Sequence, residues 1–598
     1  MTILTGSESN KKQTKKGVDS YLIRRLYVYL APYKWYLLLA LVTTLIVSFL
    51  GPLRPYLVQV AIDDYISQND IPGLGWIVFL FFIVLFSESL LMVATTYVTR
   101  WVGQNALYSL RNAIFDKIQS LHVQFFDRNP IGKLITRTTN DIEALSDLLS
   151  SGVVNIVGDF FRIFFIMFFM FTMSWELSLI ALSTLPFLFY ATFWFKARVR
   201  VAFLNVRDQI SRLNSFVQEH INGMSIVQLF GREKKEAERF EEINEDHKSA
   251  HIRTIFYFSL FWPAVEMLSS LAMALVIWYG GASTLANGLT FGVLVAFIQY
   301  VRLFFLPIRD LSDKFNTLQS ALASSERIFN IMDTENKVKQ SSNPVEPGEI
   351  KGHIEFKNVS FSYIPEEKIL KNVSFEAEPG KTVAVVGATG AGKSTLINLV
   401  MRFYDIEHGE ILLDGHNIKD LSLQKLRSSF GLVLQDNALF SGSVLDNITL
   451  GNPDITEEMV KKAGKLVQAD KFIERLPGGY NYILQERGGS LSMGQRQLIC
   501  FVRALVYNPA VLILDEATSN IDSETEQLVV NAMNELMKGR TSIVIAHRLA
   551  TIQHADKILV MHKGEIRETG THQQLLKKKD GIYKKLYELQ YKDQTAKA

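Results

Sequence analysis

The sequence predicts a multidomain chain, in which an all-α transmembrane domain of six membrane-spanning helices precedes an α/β P-loop domain. Six apolar stretches lie between residues 35 and 309, and each is near the roughly 20 residues that cross a bilayer. After residue 349, short β-branched runs alternate with helical segments, which is typical of an α/β domain with a largely parallel sheet. We place the two domains at residues 1–332 and 349–598, with a polar linker at 333–348.

The composition narrows the class of protein. A chain of 598 residues is too long for one hydrophobic core. The formal net charge of +3 gives no reason to expect a nucleic-acid partner. The single cysteine, Cys500, excludes an internal disulfide. No segment near the start resembles a cleaved signal peptide, because the first apolar run is a full span.

The orientation of the spans follows from the charges of the links between them. The tail and the two long connections are rich in Lys and Arg, whereas the three short links contain neither, so both termini are expected in the cytoplasm. Val18–Ala31 reads as an amphipathic helix at the membrane surface. The predicted spans are about Tyr36–Ala61, Leu74–Val98, Val153–Met173, Leu177–Phe195, Ile255–Gly281 and Phe291–Arg309.

Two helical arms are predicted beyond the membrane. Asn105–Leu121 and Lys196–Gln218 contain no Pro or Gly, so the spans should continue as helices for roughly 25–35 Å. The first arm is expected to break at Asn129–Gly132 and the second at Gly223. Such arms suit a contact with another domain, although a solvated hairpin would look the same.

The α/β domain carries a phosphate-binding loop. Its predicted strands are Ile354–Val359, Val373–Glu376, Thr382–Val386, Phe430–Leu434, Val511–Leu514, Ser542–Ala546 and Lys557–His562. The third of them leads into a Walker A loop, in which glycines let backbone N–H groups face phosphate oxygens, a lysine reaches the terminal phosphates and a serine holds Mg²⁺. The predicted nucleotide-binding residues of this loop are Gly387, Thr389, Gly390, Ala391, Gly392, Lys393, Ser394 and Thr395.

Further residues complete an ATPase site. Asp515 ends an apolar strand and is expected to join Ser394 and Gln435 around Mg²⁺, which prefers oxygen ligands. Glu516 is placed to orient or deprotonate the attacking water, and His547 to donate to the γ-phosphate. The predicted catalytic set is therefore Glu516, His547 and Gln435, with ATP and Mg²⁺ as cofactors.

At this point the chain resembles the ATP-binding cassette (ABC) exporters. Leu491–Gln495 is similar to the family signature, Gln485–Gly489 to the X-loop and Ser519–Asp522 to the D-loop. Tyr363 matches the aromatic residue that stacks on adenine, Gln435 the Q-loop and His547 the switch histidine. Phe126–Gly132 and Glu219–Phe230 resemble the two coupling regions.

The resemblance implies a half-transporter of the bacterial inner membrane that acts as a dimer. In this family ATP lies between the Walker A loop of one cassette and the signature of the other, so Ser492, Gly494 and Gln495 would bind the partner's nucleotide. Met493 departs from the pattern, because most active cassettes have glycine there. We therefore expect a heterodimer with a second ABC subunit, with a homodimer that tolerates methionine as the alternative.

The substrate is less visible in the sequence. Phenylalanines in the third span suit lipophilic compounds, or simple packing: Phe160, Phe161, Phe164, Phe165, Phe168, Phe169 and Phe171. Asp159 and Arg162 are spaced to pair, and Glu88, Glu266 and Arg302 are ionisable groups within spans. We expect export of hydrophobic or amphipathic drugs or lipids. The alternatives are a lipid-specific flippase, a cassette-gated channel or regulator, and a soluble ABC ATPase; an importer is disfavoured.

Overall fold

In a computed structural model, the chain is described for residues 15–286, 288–341, 343–434, 437–515, 523–545 and 552–595. It divides into two compact units. The first comprises the residues up to Gln119 together with Ile131–Thr334, and the second comprises Ser120–Pro130 together with the residues from Glu335 onwards. The predicted limits at residues 332 and 348 stay predictions. The contacts add that Ser120–Pro130 packs with the second unit, which agrees with the expectation that the first arm contacts another domain.

The first unit is helical. Within the described residues, five helical stretches are long and apolar enough to cross a membrane: Tyr21–Ile66, Ile71–Ser120, Ile131–Met173, Trp175–Asn222 and Glu233–Leu285. The sixth predicted span falls in a helix whose apolar part, Phe291–Pro307, is shorter than these five. That length is at the lower limit for a crossing of about 17 residues, so the sixth span stays a prediction.

The helix bounds differ in places from the predicted spans. The fourth span is interrupted at Ser183 and Thr184, because Pro186 opens a new helix, where the N–H that proline lacks is not needed. Pro52, Pro55 and Pro263 lie inside helices. The helices are Lys15–Leu30, Lys34–Val60, Ile71–Ser120, Ile131–Thr138, Asn140–Asp147, Val153–Met173, Trp175–Leu182, Leu185–Asn222, Met224–Leu229, Glu233–Leu285 and Phe291–Met332.

Both helical arms are confirmed, and so are both predicted breaks. Gly223 ends the second arm, and Asn129 and Pro130 separate the helices Val123–Arg128 and Ile131–Thr138. The structure adds an earlier break, because the helix of the first arm ends at Ser120. Asn336, which is remote in sequence, donates its side-chain N–H to the Ser120 carbonyl at 2.8 Å. This hydrogen bond satisfies a carbonyl that has no backbone partner where the helix ends.

Aromatic packing holds the membrane helices together. Phe169 is 7% exposed and stacks on the buried Tyr300 ring with centroids 6.4 Å apart. Phe160, Phe164, Phe168 and Phe171 are exposed on this chain. The predicted phenylalanine surface thus divides into one core residue and an outward face.

One predicted membrane pair is wrong. Asp159 forms its ion pair with Lys314, on the last helix of the unit, and not with Arg162. The expected pair was based on the i, i+3 spacing of Asp159 and Arg162 within one helix. In the structure, Lys314 on a neighbouring helix is the cation instead. Glu88 pairs with Arg54, its Oε2 lying 3.2 Å from the arginine Nε.

The second unit is an α/β domain. Its strands are β1 (Ile354–Ile364), β2 (Glu367–Ala377), β3 (Thr382–Gly387), β4 (His408–Leu413), β5 (His416–Asn417), β6 (Phe430–Val433), β7 (Gly442–Ser443), β8 (Ile483–Leu484), β9 (Val511–Asp515), β10 (Thr541–Ile545), β11 (Lys557–His562) and β12 (Glu565–Gly570). Its helices are Val123–Arg128, Lys393–Val400, Leu423–Ser428, Val444–Thr449, Glu457–Leu466, Asp470–Ile473, Met493–Val506, Ser523–Met537, His572–Leu576 and Ile582–Thr595.

The main sheet confirms the predicted parallel topology. Among the described residues, six strands run in the order β12-β11-β3-β10-β9-β6, and all neighbours are parallel except β12 and β11. The strands β1 and β2 belong to a second, antiparallel sheet in the order β2-β1-β4-β5, which the prediction of one largely parallel sheet did not include.

The core lies on both faces of the main sheet. Side chains alternate along β3, so Val383 and Val385 face the antiparallel sheet while Ala384 and Val386 face the helices on the other side. Burial of both faces explains why β3 and β9 read as continuous apolar runs. The carboxyl ends of the parallel strands therefore meet at one edge of the sheet.

Candidate functional site

The predicted phosphate loop joins β3 to the helix Lys393–Val400. Gly387 has no room for a side chain, since an added Cβ would lie 2.3 Å from the Met561 carbonyl oxygen. Gly392, with φ +98°, adopts a left-handed conformation at the N-cap of the helix, which glycine reaches without strain. The loop thus aims backbone N–H groups and the positive end of a helix at one point, an arrangement that binds phosphate.

Lys393 lies across this loop. Its Nζ donates hydrogen bonds to the carbonyls of Gly387 at 2.8 Å and Ala388 at 3.2 Å, and the residue is 6% exposed. Burial lowers the pKa of the Lys393 ammonium, and the nearby Asp515 carboxylate acts in the opposite direction. A bound polyphosphate would supply the negative charge that this buried cation lacks.

The candidate Mg²⁺ ligands lie at the same edge of the sheet. Ser394 is exposed at the start of the loop helix, and Asp515 ends β9. Ile545 pairs with Val385 on one side and with Asp515 on the other, so only β10 separates the two ends. A hydroxyl and a carboxylate fit a hard cation that completes its shell with phosphate oxygens and water.

The predicted catalytic residues Gln435, Glu516 and His547 lie outside the described residues, as does the D-loop segment 519–522. The strands that precede them are described. β6 ends at Val433, β9 at Asp515 and β10 at Ile545, which are neighbours in the sheet. The catalytic roles stay predictions.

Tyr363 lies beside the phosphate loop. Its hydroxyl is 3.4 Å from Thr395 Oγ1 and accepts a hydrogen bond from Asn398 Nδ2 at 3.0 Å, both on the loop helix. Its ring meets Phe361 and Tyr404 edge to face, at centroid distances of 4.9 and 5.0 Å. Stacking on adenine stays a prediction for this ring.

The helix Val123–Arg128 docks beside Tyr363. Asp127 accepts a hydrogen bond from the buried Tyr404 hydroxyl, and Arg128 Nη2 donates to the Tyr363 carbonyl at 3.1 Å. Val123 packs against the core around β3. Two residues of the coupling region predicted at Phe126–Gly132, Asp127 and Arg128, thus contact the cassette of the same chain. Sequence reasoning missed Tyr404, which has no motif of its own.

A histidine at the root of this helix makes the docking sensitive to pH. Burial lowers the pKa of His122, and the charges of Lys337 and Arg128 lower it further, while Asn336 opposes them. The Lys337 backbone N–H donates to His122 Nδ1 at 3.4 Å, which requires an unprotonated nitrogen.

We therefore expect the docking to weaken in acid. A lowered pKa in the folded state means that the stabilisation is complete above the unfolded pKa of about 6.5 and is lost as the pH falls below it. Amide hydrogen exchange across Val123–Arg128, corrected for its intrinsic pH dependence, should be faster at acidic than at neutral pH. His122→Asn, which keeps an acceptor but cannot titrate, should remove the difference. A pH response that persists in His122→Asn would contradict this account.

The predicted signature opens the helix Met493–Val506. Ser492 is its N-cap, and a capping box joins it to Gln495: Ser492 Oγ accepts from Gln495 N–H at 3.2 Å, and Gln495 Oε1 accepts from Ser492 N–H at 3.0 Å. Gln495 therefore stabilises the first turn of the helix. Only a nucleotide contact was predicted for this residue from the sequence. Gly494 is buried and Ser492 is exposed.

Met493 faces a groove beside the signature. The groove has a volume of about 840 Å³ and is lined by residues 437–441, by Glu486, Arg487 and Gly489 of the X-loop, and by Met493 and Arg496. Arg496 donates to the Leu491 carbonyl at 2.9 Å, which fixes the turn before the signature. The X-loop and the signature thus share one surface.

Comparison with known proteins agrees with this geometry. Residues 37–308 match the family model of the ABC transporter transmembrane region, and residues 370–519 match the ABC transporter model. The chain is 40% identical over 573 residues to the uncharacterized ABC transporter ATP-binding protein YknV of Bacillus subtilis, covering 95% of this chain and 94% of that one. It is 35% identical over 572 residues to the ATP-dependent lipid A-core flippase of Syntrophus aciditrophicus, covering 96% and 95%. It is 39% identical over 480 residues to the fatty acid ABC transporter ATP-binding/permease protein of Mycobacterium bovis, covering 80% and 76%.

Proposed function

The chain belongs to the ABC exporter family of membrane-spanning ATPases, and on that premise we propose that it exports hydrophobic or amphipathic compounds as one subunit of a heterodimer. The phosphate loop supports this most directly, since Gly392, Lys393 and Ser394 are arranged for a nucleotide and Mg²⁺. Two relatives are named for lipid A-core and for fatty acids, which favours lipid-like substrates here.

The signature helix supports a shared nucleotide site. The backbone N–H groups of Met493 and Gly494 are in the first turn, where no intrahelical acceptor exists, so they are available to an anion. The exposed Ser492 hydroxyl lies at the same point. In the proposed dimer this surface faces the phosphates held by the second subunit. ATP then favours the closed dimer through contacts made only when closed.

Met493 supports unequal sites. Its side chain borders the signature surface, where glycine would let a phosphate approach the backbone. Expression of this chain alone tests the point. Instability or weak ATPase activity without a related second subunit is the expected result, and Met493→Gly should then raise activity in the isolated chain. A stable homodimer with brisk, substrate-stimulated ATPase activity would refute the heterodimer.

The second coupling region is proposed to dock on the other subunit. Its tip exposes Ile226, Leu229 and Phe230, which are 61–78% exposed on this chain. The groove beside Phe440 offers Phe440 and Met493 as apolar contacts, next to charged residues of the X-loop. Met224–Leu229 is one short helix at the end of the second arm.

We expect Ile226→Cys and Phe440→Cys to crosslink between subunits in the assembled transporter. Cys500 is buried, and burial raises the pKa of its thiol, so it should not compete. Glu241→Cys with Phe440→Cys is the control, since Glu241 is an exposed residue on the following helix, Glu233–Leu285, and not at the tip. Absence of the Ile226 crosslink with and without nucleotide would count against this docking.

Transport in liposomes tests the function as a whole. ATP-dependent accumulation of a lipophilic compound against its gradient is expected. ATP-dependent equilibration alone would indicate a channel or regulator, and movement of lipids between leaflets without export of drugs would indicate a lipid-specific flippase.

A further inference from the structure

We propose that a cavity between the membrane helices, lined by two arginines, binds the anionic headgroup of an amphipathic substrate, with Arg54 and Arg302 as the recognition groups. This inference rests on the transport function proposed above and names its substrate class. The cavity has a volume of about 240 Å³ and is lined by Arg54, Pro55, Phe81, Gln299, Arg302 and Leu303.

The cavity lies deep in the apolar part of the unit. Arg302 is 11 residues beyond Phe291, where its helix begins, which corresponds to about 16 Å. That is about half of a hydrocarbon core of roughly 30 Å. Arg54 lies inside the apolar helix Lys34–Val60. Charged side chains at this depth are costly and are retained where they have a partner or a function.

The cavity carries more positive than negative charge. Glu88 is half-buried and pairs with Arg54, the Oε2 to Nε distance being 3.2 Å. The Glu88 carboxylate packs against Gly51, where an added Cβ would lie 3.3 Å from Oε1. Within the described part of the chain, Arg302 has no hydrogen-bond or ion-pair partner. The cavity is thus lined by two arginines, of which Arg54 has a carboxylate partner and Arg302 is exposed on this chain, so a bound anion would balance the excess positive charge.

The other lining residues suit the rest of an amphiphile. A guanidinium binds a carboxylate, sulfonate or phosphate through two parallel hydrogen bonds, and the Gln299 amide is a further donor. Phe81, Pro55 and Leu303 offer an apolar surface to the attached chain. The volume fits a headgroup and the first carbons, so the remaining chain would lie outside the cavity.

The site is held in shape before a ligand arrives. The fully buried Tyr300 hydroxyl donates to the Pro52 carbonyl at 2.7 Å, which ties the two arginine-bearing helices together beside the cavity. At the end of the same helices, Asp63 accepts hydrogen bonds from the Gly292 backbone at 2.8 Å and from Thr290. Little ordering should therefore be needed on binding.

Three probes distinguish binding of the anionic headgroup from binding of the apolar chain. The whole assembly, isolated through a tag on this chain and placed in nanodiscs of zwitterionic lipid, is titrated with dodecylsulfonate, dodecanol and methanesulfonate. Binding is measured without ATP, and ATPase stimulation is measured separately. Dodecylsulfonate should bind and stimulate, dodecanol should do so at least about tenfold more weakly, and methanesulfonate should not compete. Equal binding of dodecanol, or equal binding of the free anion, would overturn the proposal.

Variants of Arg302 and of Glu88 should change binding in opposite directions. Arg302→Gln should raise the half-saturating concentration of dodecylsulfonate at least about tenfold, and Arg302→Lys should lie between Gln and Arg. Glu88→Gln should tighten binding, because it removes the competing carboxylate. Arg162→Gln, a membrane arginine outside the cavity, is the matched control. The proposal fails if Arg302→Gln leaves binding unchanged, if Arg162→Gln weakens it equally, or if Arg302→Gln separates the subunits.

Basal ATPase activity distinguishes this inference from the proposed function. None of these variants touches the phosphate loop, so basal hydrolysis should persist in all of them. An assembly that hydrolyses no ATP would defeat the transport proposal, while selective binding of dodecylsulfonate without ATP would still support the anion site.

Discussion

Glu516→Gln should bind ATP and turn it over on the order of 10²–10⁴-fold more slowly, which traps a closed cassette dimer. Glu516 directly follows Asp515 at the end of β9, next to the strand that leads to His547. The amide keeps the shape of the carboxylate but cannot take a proton from water. ATPase rates and retention of labelled nucleotide on the purified assembly measure both effects. ATPase activity near that of the wild type would refute the role of Glu516.

Lys393→Ala is the informative contrast. It removes the cation that lies 2.8 Å from the Gly387 carbonyl, so nucleotide affinity itself should fall. Slow turnover with retained binding in Glu516→Gln, and loss of binding in Lys393→Ala, would separate chemistry from recognition. Unchanged affinity in Lys393→Ala would count against the phosphate loop.

Arg327→Met should destabilise the membrane unit by about 1–3 kcal/mol, because it leaves the buried Asp141 carboxylate without the partly exposed cation that binds it. Asp141 is 6% exposed, and Arg327 binds it through two nitrogens, with Nε at 2.9 Å from Oδ2 and Nη2 at 2.5 Å from Oδ1. The Ser324 hydroxyl, at 3.2 Å, would be the remaining donor. Thermal unfolding of the detergent-purified assembly and the rate of proteolysis around residue 141 should both report the loss.

A double variant and a variant of an exposed ion pair serve as controls for this result. Asp141→Asn combined with Arg327→Met removes both charges and should recover much of the stability. Arg212→Met breaks the exposed pair with Asp246, whose atoms are 3.0 Å apart, and should cost less than about 1 kcal/mol. Equal losses at the two sites would show that burial does not decide the contribution of these pairs.

Local patterns allowed the fold class to be predicted from the sequence. Long apolar runs marked the membrane helices, and continuous β-branched runs marked strands buried on both faces, such as β3 and β9. β4, at His408–Leu413, was missed because its first half is exposed and polar. The antiparallel pairing of β1 with β2 was missed although both strands were predicted, because strand patterning does not state which strands pair or in which direction.

Contacts between distant residues explain most of the remaining errors. The arm ends at Ser120 because Asn336 caps it, and no nearby proline or glycine signals this. Asp159 forms an ion pair with Lys314 rather than with Arg162, because the neighbouring helix brings the lysine next to it. Tyr404 and Arg54 gain significance only from the groups that the fold brings to them. Such pairings are set by tertiary packing rather than by local periodicity.

The docking of Val123–Arg128 bears on the construction of chimaeras from related chains. Since Ser120–Pro130 packs with the second unit, the exchangeable module is discontinuous in sequence. If residues 335–598 alone were grafted, Asp127 and Arg128 of one parent would contact the corresponding surface of the other parent instead of Tyr404 and Tyr363. A graft that carries Ser120–Pro130 along with it would preserve the Tyr404 and Tyr363 hydrogen bonds. Recombination between such genes should therefore be tolerated best where both segments come from the same parent.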